Sequence, residues 1–319
     1  MEVNLFIFNF SMKKLISKLC VLTGLFLLID FSIGFGLEFL YHKQNSGNQY
    51  KTTMTVDSIR HEIVILGSSR AVHHYVPALI KEHFDLSCYN AGRDGNFFIY
   101  SFAMMKAITS RYNPKIIILD INSSEFTSEN SRDNSYLSSL NPYYTYHEEL
   151  RDVIEMKSNF ERIKFYSKMY SYNSLIFNIL NNLRNRTIDT LNGFIPLGEI
   201  KVDTLNARKI PLFHQDLRKS KVDNNKLYLL KNFMEICKRK KIKLIIVESP
   251  KLTITELGNL SDSINNLISQ FPEVINLNYS NSKYYLDRPF MLSDREHLNF
   301  YGANNFTNRL MLDIDSISK

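Results

Sequence analysis

The sequence predicts an α/β fold, a parallel doubly wound sheet preceded by one transmembrane helix. Short apolar runs that end in turn residues alternate with amphipathic segments, as in repeated strand and helix units. The run at residues 115–120 is uninterrupted, which is typical of a parallel strand buried on both faces. Residues 19–40 are nearly continuous apolar sequence, of about the length that crosses a bilayer.

This apolar segment predicts an uncleaved membrane anchor. Lys13, Lys14 and Lys18 precede it, so residues 1–18 are expected in the cytoplasm and the body of the protein outside. Asp30 lies within the segment and would cost roughly 2.5–3.5 kcal/mol near the bilayer centre. That cost predicts a partner, a cavity or a helix contact for its carboxylate.

One large domain is expected over residues 58–319, joined to the anchor by a polar linker at residues 41–57. The chain of 319 residues is 44% hydrophobic and can bury a substantial core. Its net charge of +7 is spread along the chain, apart from residues 238–241, where cations complement a predicted helix end. No nucleic-acid partner is predicted. Met12, which precedes two lysines, is an alternative start to Met1.

Apolar periodicity places the elements of the domain in order. Strands are predicted at residues 62–66, 86–89, 115–120, 242–247 and 274–277. Helices are predicted at residues 76–84, 97–109, 224–240 and 260–270, and a last helix follows Asn299 as its N-cap. Residues 127–223 break the alternation, with helical patterning over 148–184, and predict a helical insertion that covers the sheet edge. Cys88 and Cys237 are predicted to be buried hydrophobes, and no metal-ligand spacing is present.

Ser69 follows the first predicted strand, in the turn Gly67–Arg70. Open α/β sheets bind ligands at the carboxyl ends of their strands, and helix amides there favour developing negative charge. A serine at such a junction is more often a helix N-cap than a nucleophile, so only a base can decide its role. Ser68 is the alternative nucleophile in a shifted register.

A candidate base lies near the carboxyl terminus. Asp294 precedes His297 by three residues, in a predicted turn before the last helix. It can therefore orient the imidazole through Nδ1 and leave Nε2 to take a proton from a hydroxyl. The other strands also end in small or polar residues, with a turn from Gly92 to Gly95 after the second and Asn122 after the third.

In their order along the chain, these blocks resemble the SGNH/GDSL hydrolase superfamily over residues 60–126 and 224–319. The resemblance implies a three-layer α/β/α sandwich of flavodoxin-like type, with a catalytic triad and an oxyanion hole. The triad would be Ser69 as nucleophile, His297 as base and acid, and Asp294 as orienting group. The oxyanion donors would be Ser69, Gly95 and Asn122, with Gly92 competing with Gly95.

The Gly-Ser-Ser form of the first block resembles a membrane-anchored branch that handles acyl groups in teichoic acid alanylation and alginate acetylation. It implies a single-pass protein of the bacterial cytoplasmic membrane, with its catalytic domain outside the cytoplasm. The expected activity is that of an esterase or O-acyltransferase on acyl, mainly acetyl, esters of envelope carbohydrate, without cofactor or metal. A membrane-bound acyltransferase is an expected partner. The alternative is an inactive glycan-binding or docking protein, because the usual Gly-x-Asn-Asp is Asp120–Ser123 here.

Five other polar residues lie near these blocks. Arg70, with Gly92, is a candidate for contacting substrate, and a surface salt bridge explains Arg70 equally well. His73 and His74 are expected to be surface or packing residues. Asp120 and Glu248 end strands and are expected to cap helices or make buried hydrogen bonds.

Overall fold

The fold centres on a five-stranded parallel sheet with the strand order β2-β1-β3-β5-β7. The computed structural model describes residues 2–128, 136–184, 189–198 and 212–318, the side chains of 2–11 and 318 excepted. The strands are β1 (Ile63–Leu66), β2 (Cys88–Asn90), β3 (Ile116–Asp120), β4 (Phe213–Asp216), β5 (Lys243–Glu248), β6 (Thr253–Glu256) and β7 (Ile275–Asn278). The α/β class and the parallel sheet are confirmed.

Helices precede and follow these strands. They are α1 (Glu2–His42), α2 (Gly47–Thr53), α3 (Ser69–His74), α4 (Pro77–Phe84), α5 (Phe98–Arg111), α6 (Glu148–Glu155), α7 (Glu161–Lys164), α8 (Ile176–Arg184), α9 (Asn224–Arg239), α10 (Asn259–Ile268), α11 (Lys283–Leu286) and α12 (Phe300–Ser318). Short 3-10 turns lie at Ser123–Phe126, Leu137–Tyr143, Met169–Ser171, Asn173–Leu175 and Pro289–Met291, and a π turn at Met54–Ser58.

The sheet is buried on both faces, because alternate strand residues point to opposite sides. Val64 and Leu66 join a core with residues of α5, α9 and α10. Ile63 and Ile65 join a second core with residues of α4 and α12. This arrangement explains why the strands are apolar runs rather than alternating sequences.

The predicted strands and helices of the domain match observed elements to within a few residues. A two-stranded parallel sheet formed by β4 and β6 was not predicted. Three of the four β4 residues are exposed and the strand is largely polar, so it carries no apolar signal. Its partner β6 begins beside the loop that holds His297, since the Leu252 amide donates to the Arg295 carbonyl at 2.8 Å.

Helix α1 contains a segment, Met12–His42, that is long and apolar enough to cross a membrane. The contact predicted for Asp30 is confirmed. Its carboxylate accepts hydrogen bonds from the Ser167 hydroxyl at 2.6 Å and from the Lys168 amide at 2.7 Å. The carboxyl-terminal part of α1 is therefore attached to the insertion as well as to the chain that follows it.

Residues 41–57 form packed helix rather than the expected linker. Helix α2 and the π turn bury Thr52 and Thr55 against the body, and the Arg93 guanidinium donates to the Thr52 hydroxyl. The Tyr100 hydroxyl also shares a hydrogen bond of 2.9 Å with Thr52. The polar residues of this segment resemble those of a linker. Their hydrogen-bond partners lie in distant parts of the chain, so the sequence alone does not show that they are buried.

The insertion predicted at residues 127–223 contains α6, α7 and α8 with several 3-10 turns, and its residues 129–135, 185–188 and 199–211 lie outside the described part. Its segment 191–197 runs along the edge strand β2, where the Asn90 amide donates to the Asn192 carbonyl at 2.8 Å. It then crosses α3, where the Ile195 amide donates to the Val72 carbonyl at 3.2 Å. We call residues 191–197 the strap.

Candidate active site

The site begins at the sharp turn between β1 and α3. Gly67 has φ +150°, and a Cβ on it would lie 2.8 Å from both the Asp120 carbonyl oxygen and the Ala71 Cβ. Only glycine lets the chain turn this closely past β3. Ser68 is the N-cap of α3, and Ser69 is its first residue, at the carboxyl edge of the sheet.

The loop 293–299 brings His297 to Ser69. The Ser69 hydroxyl lies 2.7 Å from His297 Nε2, and His297 Nδ1 lies 2.9 Å and 3.0 Å from the two carboxylate oxygens of Asp294. The hydrogen-bond pattern assigns Nδ1–H as donor to the carboxylate and Nε2 as acceptor from the hydroxyl. The predicted cap is also present, since Asn299 Oδ1 accepts from the Gly302 amide at 2.9 Å.

Asp294 is fixed as an ionised acceptor. Burial works to raise its pKa, but hydrogen bonds from the His297 ring and from the Glu296 and His297 amides outweigh it and lower the pKa. The His297 side chain is 22% exposed, so a substrate can reach the histidine and the serine beside it. The three residues singled out from the sequence are thus joined in one chain of hydrogen bonds.

Arg70 points into the protein, where its side chain is 3% exposed. Its guanidinium donates to the Ile121 carbonyl at 2.7 Å and the Ser249 carbonyl at 3.3 Å, and lies 3.2 Å from the Asp120 carboxylate. Tyr75 donates to the same carboxylate at 2.6 Å. A surface salt bridge is therefore wrong for Arg70, and these contacts favour holding α3 on the strand ends over binding substrate. The buried hydrogen bond expected for Asp120 is confirmed.

His74 ties α3 to the loop of the base. Its Nε2 accepts from the Leu298 amide at 3.0 Å, and its Nδ1 lies 3.0 Å from the Ser249 hydroxyl. An acceptor nitrogen cannot carry a proton, so the ring is neutral. Burial, with the charge of Arg70, lowers its pKa well below the ordinary 6.5. Sequence reasoning missed this positioning role, because the partners of His74 are far from it in sequence and no residue pattern around His74 indicates them.

His73 ties α3 to the turn after β2. Its Nδ1 lies 2.7 Å from the Ile195 carbonyl of the strap, and its Nε2 lies 3.1 Å from the Asp94 carboxylate. Both ring nitrogens of His73 therefore lie beside an acceptor oxygen. Burial works to raise the pKa of Asp94, but His73 and Lys51 lower it. The His73 ring meets the His297 ring edge-on at 5.4 Å.

The two candidate glycines of the turn differ in their surroundings. The Gly92 amide already donates to Asn90 Oδ1 at 3.1 Å, and a Cβ there would lie 2.7 Å from the Ala71 Cβ. Gly92 is thus a close-packing residue. Gly95 is exposed, has φ +71°, and a Cβ on it would lie no nearer than 3.6 Å to Tyr136. The open surroundings of Gly95 favour it over Gly92 as an oxyanion donor.

Asn122 lies at the end of β3, beside the end of β1. Its Oδ1 accepts from the Ser124 amide at 3.2 Å and from Lys251 Nζ at 3.3 Å. Both bonds use the carbonyl end of the amide, so they fix its orientation and leave the NH₂ group for another acceptor. Lys251, which sequence reasoning missed, is 1% exposed and lies 3.9 Å from Glu248. Glu248 makes the expected buried hydrogen bond, accepting from the Ser123 hydroxyl at 2.6 Å.

The arrangement supplies a hydroxyl, a base that faces it, and candidate amide donors from two neighbouring turns. These are the groups needed for nucleophilic attack on a carbonyl and for stabilising the oxyanion that forms. Within the described residues, no group of three His, Cys, Asp or Glu side chains is placed to hold a metal ion. No protein-family model matches the chain, and no curated protein matches it significantly.

Proposed function

We propose that this protein is a membrane-anchored serine esterase or O-acyltransferase acting on acyl esters of cell-envelope carbohydrate. One observation carries the proposal: the Ser69 hydroxyl at 2.7 Å from His297 Nε2, with Nδ1 of the same ring at 2.9 Å from Asp294. A histidine with a purely structural role does not require a serine hydroxyl beside Nε2. A serine that only caps a helix does not require an imidazole beside its hydroxyl. The hydrogen-bonded sequence of hydroxyl, imidazole and carboxylate is the arrangement that activates serine in acyl transfer.

The reaction follows in two halves. His297 Nε2 takes the Ser69 proton as Oγ attacks the ester carbonyl, and the amides of Ser69 and Gly95 with the Asn122 side chain stabilise the oxyanion. When the ester C–O bond breaks, His297 returns the proton to the departing alcohol and leaves an acyl-serine. His297 then deprotonates water or a sugar hydroxyl, which takes the acyl group, and the proton returns to Ser69. Water as acceptor gives an esterase, and a sugar hydroxyl gives an O-acyltransferase.

The strand order supports a site at this position. Numbered within the main sheet alone, the order is 2-1-3-4-5, and its switch point lies between β1 and β3. Ser69 follows β1 and Asn122 follows β3, so both candidate groups flank the crevice where such sheets bind ligands. This order also agrees with the flavodoxin-like, three-layer fold that the resemblance to the SGNH/GDSL superfamily implies.

The substrate class and location come from the anchor and from the resemblance. The apolar run at residues 19–40 of α1 follows three lysines, which favours a cytoplasmic amino terminus and a domain outside the bacterial cytoplasmic membrane. Acylated polymers of the cell envelope are the substrates available there to an anchored enzyme. A membrane-bound acyltransferase is the partner that would supply or accept acyl groups.

The test is covalent labelling of the full chain in detergent with a fluorophosphonate, followed by peptide mapping. We expect labelling at Ser69 that Ser69→Ala and His297→Ala abolish. Ser68→Ala is the matched control and should label like the parent, because Ser68 caps α3 without a side-chain hydrogen bond. Labelling at Ser68 would overturn Ser69 as the nucleophile. Labelling at no serine of the folded chain would overturn the enzymatic proposal and favour the glycan-binding or docking role.

A further inference from the structure

The insertion carries an exposed apolar surface at Phe160–Lys168, which we call the interface loop. Phe160, Ile163 and Tyr166 are 66%, 65% and 80% exposed. They are spaced three residues apart around the short helix α7, so they share one side of it. Large side chains exposed together on one face mark a contact with a partner or a membrane.

The position of this loop along α1 identifies the partner. Ser167 and the Lys168 amide bind Asp30, and Lys168 Nζ lies 2.8 Å from Glu38. Asp30 is roughly 18 Å from the end of α1 at His42, by the rise of an α-helix. The loop therefore lies well down the apolar helix rather than at its carboxyl-terminal end.

The part of α1 before the loop has about the length of a bilayer crossing. Met12–Ile29 is roughly 27 Å long, close to the hydrocarbon thickness of about 30 Å. Lys13, Lys14 and Lys18 lie in its amino-terminal part, where long side chains extend to the cytoplasmic headgroups. Leu25, Phe26 and Ile29 are all about half exposed or more. With the crossing placed there, Asp30 and the loop that binds it lie at the outer membrane boundary, not near the bilayer centre expected for a span at residues 19–40.

The composition of the loop fits a headgroup region. Aromatic side chains are enriched at the boundary between membrane and water, and cations near it are attracted to anionic lipids. The loop has three cations, Arg162, Lys164 and Lys168, and one carboxylate, Glu161. Glu161 is buried against Lys164 at 2.7 Å, whereas Arg162 is 77% exposed.

We propose that the interface loop is a second membrane contact, in which Phe160, Ile163 and Tyr166 enter the lipid interface beside α1. The partner of the loop is bilayer lipid, because its exposed apolar side chains lie next to the exposed apolar side chains of α1. Together with α1, this contact would fix the orientation of the catalytic body on the membrane, where a single helix would leave it free to rotate. The proposal rests on the membrane-spanning segment and is independent of the acyl chemistry.

The chain has no tryptophan, so a single introduced Trp reports its own surroundings. The full chain is reconstituted in lipid nanodiscs containing phosphatidylcholine and phosphatidylglycerol, with and without bromine on the acyl chains. Tyr166→Trp and Phe160→Trp are the reporters, and Phe26→Trp in the span is the positive control. Tyr228→Trp is the matched control, because Tyr228 is 63% exposed on α9, which packs on α5 and α10.

We expect brominated lipid to lower the emission of both loop reporters by about twofold, as for an interfacial side chain, and to leave Tyr228→Trp unchanged. Loop reporters quenched no more than Tyr228→Trp would overturn the second contact, even with Phe26→Trp quenched. An unquenched Phe26→Trp would overturn the spanning segment and the contact with it. Neither result bears on labelling of Ser69, which tests the catalytic proposal separately.

Discussion

The two sides of the candidate site are held by contacts of different kinds. On the nucleophile side, Arg70 and His74 fasten α3 through buried groups, and the Arg70 and Asp120 side chains are 3% and 0% exposed. On the oxyanion side, the turn after β2 is fastened by the His73–Asp94 pair, whose side chains are 9% and 39% exposed.

The difference suggests that the two sides respond differently to their surroundings. The buried contacts of Arg70 and His74 hold Ser69 and His297 in the same relative position whenever the protein is folded. A contact that solvent reaches, and that includes the Ile195 carbonyl of the strap, can change when the strap moves. The nucleophile side is thus predicted to set whether the chemistry occurs, and the oxyanion side to set its rate.

The largest effect is expected on the nucleophile side, from Asp294→Asn. The amide cannot hold Nδ1–H as the carboxylate does, so His297 turns its proton towards Ser69 and ceases to be a base. By analogy with serine proteases, the second-order rate of fluorophosphonate labelling should fall about 10⁴-fold. Asp262→Asn, an exposed carboxylate on α10, is the control and should leave the rate unchanged. A loss of less than tenfold would show that Asp294 does not orient the base.

The next effect is on stability and involves His74. His74→Ala removes the partner of the Leu298 amide and one of the two partners of the Ser249 hydroxyl, which also bonds Asp120. The unpaired buried amide should lower the free energy of unfolding by about 2 kcal/mol. His74→Gln can accept from the amide and donate to the hydroxyl, so it should recover much of the loss. Denaturant unfolding in detergent measures both variants, and equal losses would contradict a hydrogen-bonding role.

His74 also predicts a pH dependence of stability. Its pKa in the folded chain lies well below the ordinary 6.5, so the unfolded chain binds the proton more readily. The stability from neutral His74 is therefore complete above about pH 6.5 and is lost as the pH falls below that value. The slope of unfolding free energy against pH between about 6.5 and 5 should be smaller in His74→Gln. An unchanged slope would assign the effect to other groups.

On the oxyanion side, Asn122→Ala should lower the labelling rate about 10²-fold, the usual effect of losing one oxyanion donor. Lys251→Met should lower it less, because the Ser124 amide still holds Asn122 Oδ1. Asn122→Asp keeps the shape and removes the donor, and it should lower the rate at least as much as Asn122→Ala because its carboxylate also repels the oxyanion. Full activity in Asn122→Asp would exclude Asn122 as a donor.

The periodic elements and the proximity of Ser69, His297 and Asp294 could be predicted from the sequence, but the contacts between other elements could not. Strands such as β3 are apolar along their whole length, and Asp294 and His297 lie close enough in sequence to form a recognisable pair. His74 and Lys251 act through groups that are far away in sequence, so their roles depend on the folded arrangement. Helix α2 was missed for the same reason, because its polar residues look solvated until Arg93 and Tyr100 are placed beside Thr52.

The smallest effect is expected from Asp94→Asn. It weakens the pairing with His73 but keeps a side chain that can accept a hydrogen bond, so the Gly95 amide is displaced rather than lost. With 4-nitrophenyl acetate as a probe ester, kcat should fall about tenfold while KM changes little, since the interaction is made in the transition state. Asp152→Asn, an exposed residue paired with Lys106, is the control. A rise in KM with unchanged kcat would instead place Asp94 in substrate binding, and the Ser69 amide and the Asn122 side chain would then be the remaining candidate oxyanion donors.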